Sequence, residues 1–387
     1  MKQSVKDILA DNFWIMPATP EYIDKGVPYI TSKNIKNGTI DFSKVNYISQ
    51  EDYENISKNR PILVGDILIS MIGTLGETAE VKRSDGLFYG QNMYLVRIDE
   101  SKVNKRYFLN FFKSNFVKRA LEGKQNQSTQ KYLKANHIED LIIPVPDVTK
   151  QELIAKQLDK LAYIITLRTN ELKQLDELIK ARFVEMFGNP ITNPKGWDIV
   201  ELGELTDIGS SKRIFEKEYV SEGIPFYRTK EIVELSKGNS VSTELFITEE
   251  RFAEIKEKYG APKNGDLLIS AVGTIGVIWI VDGKNDFYFK DGNLIRVDGS
   301  EKFNSVYMKN LLEYLIDGYK KQMSTGTAYA ALTISGLTKM KVYDIPMELQ
   351  NQFADFVNQV DKSKVAVQKA LDETQLLFDS LMQQYFE

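Results

Sequence analysis

The chain has 387 residues, 42% of them hydrophobic, and a formal net charge of −4, which is enough for two or three domains with real cores but is unhelpful for a free-standing DNA binder. It contains no cysteine and a single histidine, His137, so disulfides and thiolate metal sites are excluded, as are most zinc sites and most histidine acid-base schemes. No run approaches the roughly 18 apolar residues that span a bilayer. The opening MKQSVKDILADN also lacks the charged-then-apolar layout of a signal peptide. A cytoplasmic protein is therefore expected.

Taken in chain order, the elements begin with a short β-rich run over Asp66–Ile72, entered through a Gly-Asp turn, and a second over Tyr94–Ile98. A helix is predicted over Lys105–Leu121. A proline stretch, Pro144-Val145-Pro146, then precedes a long helix. Along it, Ile154, Leu158, Leu161, Ile165, Arg168, Leu172, Leu175, Ile179, Arg182 and Met186 alternate spacings of four and three, a heptad seam. Gly188-Asn189-Pro190 predicts its stop.

The series then repeats about 199 residues later. GDILISMIGTLGE (Gly65–Glu77) returns as GDLLISAVGTIGV (Gly265–Val277), with eight of thirteen positions identical. GVPYITSKNI (Gly26–Ile35) returns as GIPFYRTKEI (Gly223–Ile232), and YLVRID (Tyr94–Asp99) as NLIRVD (Asn293–Asp298). The counterpart of the first helix is predicted over Tyr307–Tyr319, and Ile345-Pro346 precedes a second long helix. Its seam is Phe353, Val357, Val360, Lys364, Val367, Leu371, Thr374, Phe378, Leu381 and Tyr385, in the same phase as the first. Arg168, Arg182, Lys364 and Thr374 interrupt the two seams, and such breaks can fix register. The expected architecture is a mixed α/β (α+β) fold: two tandem-duplicated globular domains, residues 1–147 and 189–346, separated by two long antiparallel coiled-coil helices, 148–188 and 347–387. The second helix, as the last element, is expected to fold back on the first within the chain. Charge is uneven: residues 1–149 carry 20 Lys+Arg against 18 Asp+Glu, residues 195–346 carry 20 against 23, and residues 347–387 carry 3 against 7. If nucleic acid is bound, a partner is expected to supply much of the phosphate-binding charge.

In this order the parts resemble the specificity subunit of type I restriction-modification systems. The motifs that carry the resemblance are GIPFYRTKEI, GDLLISAVGTIG, STGTAYAALTISGL followed by Ile-Pro within Ser324–Pro346, the P-x-P and Gln-rich helix start of Pro144–Gln157, and EMFGNPITNPKGW at Glu185–Trp197. It covers essentially the whole chain. The first repeat departs from the pattern: it has no KGW-like opening, and NQSTQKYLKANHI (Asn126–Ile138) stands where the second has STGTAYAALTISGL. The resemblance implies a non-catalytic subunit whose two domains each read one half of a split double-stranded DNA target. It implies that the paired helices set the gap and dock two methyltransferase (modification) subunits, with restriction/translocase subunits joining through them and no membrane involved. It implies no cofactor or metal in this chain, with S-adenosylmethionine, ATP and Mg in the partner subunits.

Base readout and phosphate contact need Arg, Lys, Asn, Gln, Ser and Thr side chains and free backbone N–H groups. The matched segments supply them. Thr31, Ser32, Lys33 and Asn34 correspond to Arg228, Thr229 and Lys230; Ser70 and Thr74 to Ser270 and Thr274, beside glycines that allow a tight turn or a close approach. Tyr89, Gln91 and Asn92 precede a strand, as do Lys290 and Asn293. Gln125, Gln127, Ser128, Gln130 and Lys131 have Ser324, Thr325, Thr327 and Tyr329 as partners. Each set can instead be an ordinary polar turn, strand entry or helix cap. His137, Trp14, Trp197 and Trp279 are expected to pack, and Asp66 and Asp266 to hold turns. The alternative of a solitary DNA methyltransferase or nuclease lacks its glycine-rich cofactor loop, its Asn/Asp-Pro-Pro-aromatic motif and its nuclease carboxylates.

Overall fold

A computed structural model describes residues 1–123, 132–323 and 332–387. The chain divides into two compact units, one of residues 1–169 with 369–387 and the other of residues 170–368. Each unit thus contains its globular part and a stretch of both long helices.

In the first unit a four-stranded antiparallel sheet has the order Leu9–Ile15, Met93–Ile98, Ile67–Ser70, Thr78–Glu80. A three-stranded sheet places Val27–Thr31 between Asn46–Ile48, antiparallel, and Tyr89–Gln91, parallel. A ribbon pairs Lys2–Ser4 with Ile142–Pro144. The strand ILIS has no polar alternation because both its faces are covered. Ile67 and Ile69 enter a core with Tyr94, Val96, Tyr107 and Phe108, while Leu68 enters a second core with Phe13, Leu95 and Phe88 on the other side.

The second unit repeats this plan. Its larger sheet has the order Ile208–Gly209, Leu294–Val297, Leu267–Ser270, Ile278–Ile280. Ile224–Tyr227 lies between Phe246–Ile247 and Tyr288–Phe289, and Asp198–Glu201 pairs with Lys341–Asp344. Leu267 and Ile269 face one core and Leu268 another. The duplication visible in sequence is a duplication of topology.

One predicted helix is broken. The expected run Lys105–Leu121 is two helices, Lys105–Phe112 and Asn115–Gly123. Ser114 causes the break: its buried hydroxyl accepts the N–H of Val117 at 3.3 Å and so starts a new helix. The second copy has Glu313-Tyr314 at that place, with no such cap, and its helix Ser305–Met323 runs through.

The long helices span Val148–Phe187 and Met347–Phe386. The first stops where Gly188 takes φ +81° and donates to the Val184 carbonyl at 2.8 Å, while Lys195 Nζ caps the carbonyls of Glu185 and Met186 at 2.6 and 3.0 Å. None of the twenty seam residues is exposed. Within each unit the two helices run antiparallel: in the first, Gln157 bonds Tyr385 and Arg168 bonds the Ala370 carbonyl and Thr374 hydroxyl. In the second, Asp176 pairs with Lys364 at 2.8 Å and Phe183 packs on Phe353. Three of the four seam interruptions therefore make specific polar contacts between the helices, as register-setting residues should.

Among the described residues no helix is long and apolar enough to cross a membrane, and no group of three or more His, Asp or Glu side chains is placed to hold a metal ion.

Candidate nucleic-acid interface

Three turns meet at one edge of the first unit. The turn after Val27–Thr31, the glycine loop after Ile67–Ser70 and the turn before Met93–Ile98 are tied together by Ser32. Its buried hydroxyl donates to the Asn92 carbonyl and accepts the N–H groups of Met71 at 3.2 Å and Ile72 at 3.4 Å. Met71 N also reaches the Asn92 carbonyl at 3.3 Å, and the Met71 carbonyl accepts Leu133 N at 2.9 Å. The second unit keeps the same frame with different side chains: Ala271 N donates to the Asn293 carbonyl at 2.8 Å, Leu332 N to the Ala271 carbonyl at 3.1 Å, and Lys290 N to the Tyr227 carbonyl at 2.9 Å.

Several candidates build this frame and do not face outward. Asn34 is buried; its amide donates to the carbonyls of Asp41 and Lys44 and its oxygen accepts Thr31 N at 2.9 Å. Ser70 is fully buried, donating to the Thr74 carbonyl and accepting Glu77 N at 2.9 Å, and Ser270 repeats this with Thr274 and Val277. The Tyr89 hydroxyl donates to the Arg60 carbonyl at 3.0 Å, and burial raises its pKa above the ordinary tyrosine value. These polar atoms are saturated by partners within their own unit, so they shape the loops.

The outward set is smaller. Lys33 and Thr74 are exposed, as are Lys230 and Thr274. Thr31, Gln91 and Asn92 are half-buried, as are Arg228, Thr229, Lys290 and Asn293. Asn92 takes φ +63°, a left-handed conformation that asparagine tolerates and that turns the chain sharply into the following strand. Gln125, Gln127, Ser128, Gln130, Lys131, Ser324, Thr325, Thr327 and Tyr329 lie outside the described residues.

Lysines that motif matching passes over border the same edge. A concavity of about 860 Å³ runs beside the loop Gly73–Thr78 and is lined by Lys113 and Lys118 from the broken helix. In the second unit Lys320 Nζ lies 3.2 Å from where a Cβ on Gly276 would stand. Their exposure on a helix beside the loop is a tertiary fact with no short motif.

The remaining singled-out residues have structural duties. Asp66 accepts Leu63 N at 2.7 Å and holds Arg97 at 2.7 and 2.9 Å. Asp266 accepts Lys263 N and Gly299 N, each at 2.8 Å, and burial raises its pKa. Trp197 donates to the Phe187 carbonyl at 2.9 Å, and Trp14 and Trp279 pack against cores. His137 is half-buried and its Nδ1 accepts Lys134 N at 3.4 Å.

Lys33 and Arg228 separate binding from folding. Lys33 has no hydrogen-bond or ion-pair partner among the described residues, so Lys33→Ala is expected to change stability by less than about 0.5 kcal/mol and to weaken DNA binding by ~1–3 kcal/mol if it touches a base. Arg228 pairs at 3.2 Å with Glu231, whose side chain is only 3% exposed. Arg228→Ala leaves that carboxylate only the backbone N–H of the same position, at 2.8 Å, and is expected to lower stability by about 1 kcal/mol as well as binding. Paired melting curves and DNA titrations check both; equal stability losses at the two positions would contradict this assignment.

Comparison with known proteins follows the same division. The family described as the type I restriction modification DNA specificity domain matches residues 14–177 and again 194–374. A Haemophilus influenzae protein named as a type I restriction enzyme specificity subunit is 28% identical over 306 residues, 76% of this chain and 74% of the relative. The MjaIX specificity subunit of Methanocaldococcus jannaschii is 25% identical over 398 residues, 94% of this chain and 86% of the relative. Among solved structures, the S subunit of a type I system from M. genitalium aligns with a TM-score of 0.59 at 15% identity, covering 100% of this chain and 96% of the other. A chain from a structure of type I R-M complex assembly aligns with a TM-score of 0.59 at 17% identity, covering 100% and 97%. These structural likenesses show the fold.

Proposed function

The chain belongs to the type I restriction-modification DNA specificity family, and from that premise we propose that it is the DNA-reading subunit of a type I restriction-modification complex. Each unit reads one half of a split double-stranded target. The chain works with modification subunits that carry S-adenosylmethionine and with restriction subunits that use ATP and Mg; it holds none of these itself and has no catalytic site. The paired helices are the docking surface for the modification subunits and set the gap between half-sites.

The observation that carries this reading is the doubled interface. Two units share one hydrogen-bonded frame, with Lys33 and Asn92 matched by Lys230 and Asn293, yet place different residues beside them, Thr31 and Gln91 in one against Arg228 and Lys290 in the other. A scaffold with no DNA role would not need equal frames with unequal rims, whereas two base-readers do. The single histidine and absent cysteine remove thiolate chemistry and most histidine acid-base schemes from the chain itself.

The test is methyl transfer from labelled S-adenosylmethionine to DNA. The purified chain alone is expected to match a no-protein control, and activity is expected on adding modification subunits. Transfer by the chain free of those subunits would move it to the solitary-methyltransferase alternative.

A further inference from the structure

A part of the interface that keeps its polar and glycine residues in both units is the glycine loop, where Ser70, Gly73, Thr74 and Gly76 return as Ser270, Gly273, Thr274 and Gly276. Residues common to two readers of different bases serve what both half-sites share, the phosphate backbone. Resting on the specificity-subunit reading, we propose that these two loops are twin phosphate clamps. In each, the N–H groups of Gly73 and Thr74, or of Gly273 and Thr274, with the threonine hydroxyl, grip one DNA phosphate and position the base-reading turns around it.

The geometry supports an anion. Gly73 and Gly273 take φ +83° and +77°, and a Cβ on either would meet nothing within 4 Å. Glycine is thus present for its backbone conformation and not for packing, and such left-handed turns aim successive N–H groups outward as an anion-binding concavity. Among the described residues the N–H groups of Gly73, Thr74, Gly273 and Thr274 have no acceptor, nor do the hydroxyls of Thr74 and Thr274, whereas Gly76 N and Gly276 N are bonded within the loop. The loop is also pre-set. Gly76 N donates to the Ser70 carbonyl at 3.0 Å, Gly276 N to that of Ser270 at 2.8 Å, and the buried serine hydroxyl closes each loop from beneath. Gly76 and Gly276 are pinned from the other side, a Cβ there lying 3.0 Å from Leu121 Cδ1 and 2.5 Å from Ile316 Cγ2. Independently, a lysine borders each loop: Lys113 and Lys118, unpaired among the described residues, in the first unit, and Lys320, paired with Asp317 at 3.3 Å, in the second. Open donors on a fixed loop beside a cation suit phosphate and carry no base information.

The test uses the complete complex with its modification subunits and a duplex in which each phosphate of the recognised site is replaced in turn by an uncharged methylphosphonate. Wild type is expected to lose roughly tenfold in affinity at one phosphate in each half-site. Thr74→Val, an exposed and shape-preserving change, is expected to weaken binding severalfold on unmodified DNA, to lose less than wild type at the phosphate of its own half-site, and to methylate the same motif; Thr274→Val does the same in the other half. Lys113→Ala is expected to lower the slope of log affinity against log salt by about one. Wild-type affinity in both valine variants, undiminished sensitivity to every neutralised phosphate, or an altered base in the methylated motif would each overturn the clamp. A wild-type complex with no sequence preference at all would instead overturn the specificity-subunit reading, and the clamp with it.

Discussion

Phe353→Ala is expected to lower the free energy of unfolding by about 3–5 kcal/mol, the range for removing a fully buried phenylalanine. Phe353 stands at the start of the second long helix and has no exposed surface. Its ring meets Phe183 at 5.4 Å and Phe187 at 5.6 Å, both edge-on, and Phe187 continues to Tyr307 at 5.0 Å. These rings join both long helices to the core under the larger sheet of the second unit, which also holds Leu267, Ile269 and Val297. Truncation leaves a cavity that aromatic neighbours cannot collapse into, and edge-to-face pairs add to the loss. Phe353→Leu is expected to recover part of it. Val365→Ala on the same helix, where the side chain is 71% exposed, is expected to stay within about 0.5 kcal/mol. Urea unfolding of the full chain measures all three, and a Phe353→Ala loss under 1 kcal/mol would contradict the assigned packing.

The second large effect is on specificity. Replacing residues 1–145 with the equivalent segment of a relative is expected to change one half of the methylated motif completely and leave the other half intact. The segment is a natural unit of exchange because its two ends are held together: Lys2–Ser4 pairs with Ile142–Pro144, and Val145 N donates to the Met1 carbonyl at 2.7 Å. One constraint applies. Tyr107 and Phe111 pack against Phe386 of the second long helix at 5.2 and 5.7 Å, so the donor segment must keep large aromatics there. Methylation mapping of the hybrid complex reads the outcome. A hybrid that is folded and active with both halves changed would show that the units do not read independently.

Much of the fold was legible because it is periodic or repeated. The heptad seams needed only spacing, and even Arg168, Lys364 and Thr374 fell inside them. The stop at Gly188 needed only the glycine-proline rule. The core strands were visible as ILIS and LLIS, though their burial on both faces depended on a second small sheet. That sheet was hidden, since its parallel pair joins Tyr29 to Tyr89, sixty residues apart, and no local pattern reports a pairing over that distance. The helix break at Ser114 was hidden because a serine in a helical run reads equally as a solvated residue or a cap. At the interface the right segments were legible from the duplication, but not which atoms face outward. Ser32, Asn34 and Ser70 look like readers by residue type, and only their contacts show them spent on the frame. The donors that remain open are largely backbone N–H groups, which no side-chain pattern reports.

Methylome sequencing of cells carrying this chain together with its modification subunits tests the central claim most directly. The account predicts one new methylated motif in two specified parts divided by a fixed run of unspecified bases, present only when the chain and its partners are expressed together. A continuous motif, or methylation that persists unchanged when this chain is removed, would contradict it.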